Sequence, residues 1–136
     1  MSSDLPAFLD SWTIDPNGIK SVFTAMYEYL RTCDKVNLEY KGRPGVSHSL
    51  RAHHAAQSNR ELFVLVDIID DEPEARWLSV CFYADLVTDP EEHGDVVPGG
   101  LAGDDALCFD LDSPENNIEH YMLQRLQEAV TAAAKG

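Results

Sequence analysis

The sequence predicts an α+β domain of two layers: an antiparallel sheet of four to five strands, with N- and C-terminal helices packed on one face. Three observations carry this. Apolar residues recur at helical spacing near the two ends of the chain. Between them, apolar and polar residues alternate in short runs, as half-buried strands require. Short turns join most of those runs, and strands joined by short turns pair antiparallel.

The elements follow in order. Leu5, Phe8, Leu9, Trp12 and Ile14 mark an amphipathic lead-in over residues 1–14 that docks on the body. Asp15-Pro16 is a cap residue followed by proline, a common helix start. Ile19, Val22, Phe23, Met26 and Leu30 then form one apolar stripe, which predicts a helix over 16–32. Val36, Leu38 and Tyr40 alternate with polar neighbours, Gly42-Arg43-Pro44-Gly45 turns the chain, and Val46, His48, Leu50 and Ala52 return. Leu62 to Ile69 is almost continuously apolar and reads as a central strand. Arg76 to Ala84 reads as a fourth strand. Residues 85–105 read as a long acidic loop, and Leu107-Cys108-Phe109 as a short fifth strand. Ser113-Pro114 repeats the cap-plus-proline start, and Ile118, Tyr121, Met122, Leu126, Ala129, Val130 and Ala133 stripe a last helix over 114–134. The whole of 1–136 suits a single domain with a substantial core.

Charge narrows the functional classes. The chain carries 24 acidic and 10 basic side chains, a formal net charge of -14. Such a polyanion does not hold a nucleic-acid backbone by general attraction, and an anionic membrane surface repels it. The charge is uneven: 12 acids and 8 bases over 1–76 give -4, and 12 acids and 2 bases over 77–136 give -10. The chain's start has no basic and apolar leader pattern, and three cysteines form no CxxC pair. Both features predict a cytoplasmic protein with unpaired thiols.

If Val36, Leu38, Leu50, Val64, Val66, Val80 and Phe82 face the helices, the second face of the sheet carries the rest. That set is Asn37, Glu39, Ser47, Ser49, Arg51, Phe63, Leu65, Asp67, Ile69, Trp77, Ser79, Cys81 and Tyr83. It is too aromatic and too apolar for a solvated face. The loop 85–105, the lead-in, a second subunit or a ligand would have to cover it. Asp67 lies in an apolar strand and Arg51 on the strand before it. They read either as a bridge that pins register or as anchors for a polar ligand walled by Trp77 and Tyr83. Ser49, Arg51, Asp67, Trp77 and Tyr83 are therefore the candidate binding residues.

No reading of catalysis, metal or cofactor emerges. His48 and His53 fall on opposite faces, there is no HExxH, and His48 reads as hydrogen-bonded at the edge of the core. Asp85, Asp89, Glu91, Glu92, Asp95, Asp104 and Asp105 could offer oxygens to calcium, but without EF-hand spacing they read as a solvated run. Gly94, Gly99, Gly100 and Gly103 match no phosphate-binding pattern. Cys81 and Cys108 read as small buried residues.

The segment Arg76-Trp77-Leu78-Ser79-Val80-Cys81-Phe82-Tyr83, with Asp89-Pro90-Glu91-Glu92-His93-Gly94-Asp95, Pro98-Gly99-Gly100-Leu101 and Cys108-Phe109-Asp110, resembles a group of small uncharacterised bacterial proteins. That resemblance implies a bacterial cytoplasmic protein and transfers no activity, cofactor or catalytic residue. At the level of architecture the chain is also similar to the type III secretion chaperones, which are small and acidic with helices at both ends of a sheet. Their dimer uses a middle helix, which here would have to come from residues 87–93.

The favoured expectation is a non-catalytic binding or assembly module that associates with a protein partner, or with itself, through the second face. The alternatives are a small-molecule-binding or enzymatic domain with a pocket near Arg51, Asp67, Trp77 and Tyr83, and an acidic chaperone-like or cation-binding protein.

Overall fold

The computed structural model describes residues 4–136. The chain runs α1 (Asp4–Ser11), α2 (Ile19–Thr32), β1 (Val36–Arg43), β2 (Ser47–His54), β3 (Val64–Ile69), β4 (Trp77–Tyr83), β5 (Asp95–Leu101), β6 (Asp104–Leu111) and α3 (Ile118–Ala133). The six strands form one antiparallel sheet in the order β1-β2-β3-β4-β6-β5. The helices lie on one face of it, so the expected two-layer α+β architecture is the observed one.

Each boundary has a local cause. The Asp15 carboxylate accepts the Ile19 and Lys20 N–H groups, so the helix begins three residues after Pro16. Pro114 opens a single 3-10 turn over Glu115–Asn117, and α3 starts only at Ile118. Asn116 and Asn117 both take left-handed backbone there, which Asn tolerates better than most residues. The first three residues of the expected lead-in lie outside the described residues; the remainder holds a true helix, α1.

Two corrections concern the long connection and the strand count. The expected loop 85–105 contains strand β5, and β6 begins at Asp104 rather than Leu107. The sheet therefore has six strands. Ala102 and Gly103 both have positive φ and make the two-residue turn that matches the twist of a hairpin. The sequence signal for β5 is weak because Pro98, Gly99 and Gly100 are poor strand formers.

The core lies between sheet and helices. Leu50, Val64, Val66, Val80 and Phe82 are fully buried against Val22, Phe23, Met26, Leu30, Met122 and Leu126, and Val36 and Leu38 pack at its margin. Leu5 and Trp12 bring α1 into the same cluster. The described part of the lead-in thus packs on the helix side. Phe63 is a further correction: it is fully buried in this core. It precedes β3 by one residue, so strand alternation does not govern it. Its N–H bonds to the Ala52 carbonyl, and its ring meets His54 edge-on.

A buried polar chain closes one end of the core. Tyr40 Oη bonds His48 Nδ1 at 2.6 Å, and His48 Nε2 bonds Asp70 Oδ2 at 2.9 Å. The second oxygen of Asp70 takes Arg76 Nε at 2.6 Å. Phe8 stacks on the His48 ring at 3.7 Å, and the Arg76 guanidinium lies 4.9 Å from the centroid of the same Phe8 ring. Gly42 leaves room for the first link: a Cβ there would sit 2.4 Å from Tyr40 Oη. This chain joins β1, β2, the turn after β3, the residue before β4, and α1.

Burial alone would push the Asp70 carboxyl up. The bonds from Arg76, His48 and the Gly45 amide outweigh it and hold Asp70 below its ordinary value of 3.8. A depressed carboxylate stabilises the fold fully above the unfolded value, and that share is lost as pH falls through the lower folded value. Asp70→Asn should therefore cost about 3 kcal/mol at neutral pH, because it leaves Arg76 without its partner. Denaturant melts of both proteins from neutral to acid pH should show this gap narrowing below 3.8. A gap independent of pH would show that Asp70 acts through packing rather than charge.

Candidate functional site

Register decides what the second face presents. Ser49 pairs with Asp67, Asp67 with Ser79, Ile69 with Trp77, Arg51 with Leu65, and Leu65 with Cys81. Directly paired residues point to the same side, so these side chains form adjacent rows on the face away from the helices. All are half-buried; among the described residues Leu65 lies against a small cluster at one end of the face, while Ile69 and Trp77 at the other end belong to no hydrophobic cluster.

The sequence-predicted residues share this face but do not converge as expected. Ser49 Oγ donates a short hydrogen bond to Asp67 Oδ1. Arg51 does not bridge to Asp67. It lies opposite Glu39 on one side and Leu65 on the other, and its Nε is buried with no hydrogen-bond partner. Trp77 and Tyr83 occupy the two ends of β4, six residues apart and so roughly 20 Å along the strand. They cannot be opposite walls of one pocket.

Tyr83 belongs to a separate cluster. It packs with Leu101 and Ala106 and with Leu62, Leu65 and Leu86, so residues of the expected loop cover one end of the face. The Arg60 guanidinium lies 3.8 Å over the Tyr83 ring and pairs with Asp85 at 2.8 Å and Asp104 at 3.2 Å. Burial pushes the Tyr83 phenol up, against the pull of Arg60. The hydrogen bond from Arg60 holds Asp85 down despite partial burial.

Trp77 instead borders a cleft of about 410 Å³ at the other end, lined by Asn17, Arg76, Asp110 and Asp112 among others. Ser49, Arg51 and Asp67 do not reach it.

The remaining candidates have structural uses. His48 and His53 do lie on opposite faces: His48 in the buried chain, His53 against Glu39 and the Glu61 carbonyl. The buried Tyr40–His48–Asp70 arrangement escapes sequence reasoning because Asp70 stands in a run of acids that looks solvated. Its His is covered by Phe8, so nothing reaches it for chemistry. Among the acids of 85–105, Asp89 turns inward, taking the His93 and Gly94 N–H groups and the Tyr121 hydroxyl. Those bonds outweigh its burial and hold its carboxyl low. Among the described residues no group of three or more His, Cys, Asp or Glu is placed to hold a metal ion.

Cys81 and Cys108 are paired rather than free. They face each other across β4 and β6 and are disulfide-bonded, with Cα atoms 4.1 Å apart. Both are half-buried on the second face, beside Leu65 and Ser79. Cys33 remains free. Spacing in sequence carried no sign of this pair, because only the β4–β6 register brings the two residues together.

No protein-family profile, curated protein or solved structure matches this chain. The site is therefore read from its geometry.

The disulfide closes a span of 27 residues, and such a closure contributes at most roughly 3–4 kcal/mol. Reductant should lower the melting temperature of the native protein by several degrees. Cys81→Ala/Cys108→Ala should melt at the reduced value and ignore reductant. A native protein that alkylates at all three cysteines without reduction would contradict the bond.

Proposed function

We propose that this chain is a non-catalytic binding or assembly module whose sheet face takes a basic, partly apolar protein segment. One observation carries the proposal. Ile69 and Trp77 stand half-exposed as a directly paired row, next to the polar row of Ser49, Asp67 and Ser79, and neither belongs to a hydrophobic cluster of the described residues. An apolar patch with a polar rim is the usual form of an interaction surface. The net charge of -14 steers basic partners toward the molecule.

The compartment in this reading is the cytoplasm of a bacterium and rests on the resemblance noted above alone, because the Cys81–Cys108 bond removes the unpaired-thiol argument and disulfides are rare in that compartment. Among the described residues no helix is long and apolar enough to cross a membrane. The chaperone analogy receives no added support, since residues 87–93 form turns and not a middle helix. A small-molecule role has its support in the cleft beside Trp77, where the indole and the carboxylates of Asp110 and Asp112 suit a small cation.

The test is a titration of the protein with an alternating Lys-Leu peptide, followed by backbone and indole amide shifts. Shifts should cluster on Leu65, Asp67, Ile69, Trp77 and Ser79, and Trp77→Ser should weaken binding by roughly tenfold or more. Shifts confined to α3, or none at all, would overturn the proposal.

A further inference from the structure

Many acids of the sheet and its loops already have partners. Asp85 and Asp104 pair with Arg60, Asp105 accepts the Gly99 N–H, and Asp67 accepts the Ser49 hydroxyl. Asp70 and Asp89 turn inward to their own networks. Asp110 and Asp112 differ. Both are exposed, and among the described residues neither carboxylate has a hydrogen bond or an ion pair. They stand in the wall of the cleft of about 410 Å³ at the Trp77 end. Ser79 pairs with Asp110 across β4 and β6, so Asp110 projects from the second face. Trp77 projects from the same side, two residues before Ser79.

We infer that this cleft is a guanidinium pocket, which seats one arginine side chain of the incoming basic segment. The inference deepens the reading of the sheet face and rests on it. Two carboxylates of like charge on one wall repel each other, and a cation between them removes the repulsion. Arg76 borders the cleft but is not that cation. Its Nε is held by Asp70 at 2.6 Å, and its guanidinium lies over the Phe8 and Trp12 rings.

The walls choose arginine over lysine. A guanidinium is planar: its face stacks on an indole, and its edge presents paired N–H groups to a carboxylate. Trp77 offers the indole, and Asp110 and Asp112 offer the carboxylates, so one guanidinium uses both kinds of wall together. An ammonium is a compact, strongly hydrated charge and gains only part of this. The position suits a segment on the face as well. Ile69 pairs directly with Trp77, so a chain lying along that row carries a side chain to the mouth of the cleft.

Two peptides of equal charge test it, alternating Arg-Leu and alternating Lys-Leu. Each is titrated into the native chain and into Asp110→Asn/Asp112→Asn. The native chain should bind the Arg-Leu peptide roughly tenfold tighter than the Lys-Leu peptide, and the variant should lose that preference. n-Butylguanidinium alone is the third ligand. In the native chain it should shift the Trp77 indole N–H and the amides of 110–112 with millimolar affinity, and in the variant it should not. n-Butylammonium should shift them far less. Thermal melts of the variant should match those of the native chain, since both substitutions are exposed. A preference that survives in the variant, or butylguanidinium that leaves the Trp77 signal unmoved, would overturn the pocket. Peptides that bind equally, with shifts at Ile69 and Trp77, would overturn the pocket and leave the sheet face standing. Butylguanidinium bound at Trp77 while neither peptide binds would keep the guanidinium pocket and overturn the reading of the face.

Discussion

The structure depends on one constraint: every helix packs on the same side of a six-stranded sheet. Side chains alternate along a strand, so this packing sends one set of residues into the core and the other set to the opposite face. A shift of one residue in any strand would exchange the two sets, burying Asp67 and Arg51 and exposing Val66 and Leu50. The hydrophobic term therefore fixes register in the middle of the sheet. The buried links from Tyr40 through His48 and Asp70 to Arg76 add a polar lock at its end. The Cys81–Cys108 bond locks β4 to β6 on the other face.

The same constraint makes the second face the place to look for function. A residue there contributes little to the core. Trp77, Ile69 and Leu65 bury only part of their surface in the isolated chain, and Arg51 keeps a buried donor unpaired. Where such a face is cheap to solvate it is polar, as Ser47, Ser49 and Ser79 are. The apolar residues among them are what the isolated chain leaves unexplained, and a partner that completes their burial accounts for them. At the Tyr83 end the chain supplies its own cover, with Leu101 and Arg60.

Much of the fold is legible in the sequence because it rests on periodicity. The stripe Ile19, Val22, Phe23, Met26 and Leu30 is buried as a unit, and the hairpin of β1 and β2 lies where alternation puts it. The features that escape depend on tertiary neighbours. Strand β5 is held by pairing with β6 and not by its own residues, so Pro98 and the glycines hide it. Phe63 sits before its strand begins, where alternation has no authority. The disulfide needs a register between residues 27 apart, and Asp70 looks solvated beside Asp71 and Glu72 until His48 and Arg76 are seen around it. For the candidate site, the choice of face is legible and the distances are not. Alternation places Ser49, Arg51, Asp67, Trp77 and Tyr83 on one side, but it says nothing of the length of β4 that separates the two rings.

The central claim is that one face of this sheet is closed by helices and the other is open. The two tryptophans report on it directly: Trp12 is 1% exposed in the core, and Trp77 is half-buried on the second face. Hydroxyl-radical footprinting of the purified chain, read by mass spectrometry, should oxidise Trp77 many times faster than Trp12, with Ile69 and Leu65 following Trp77. Equal protection of the two tryptophans would mean that the second face is covered, and would contradict the account.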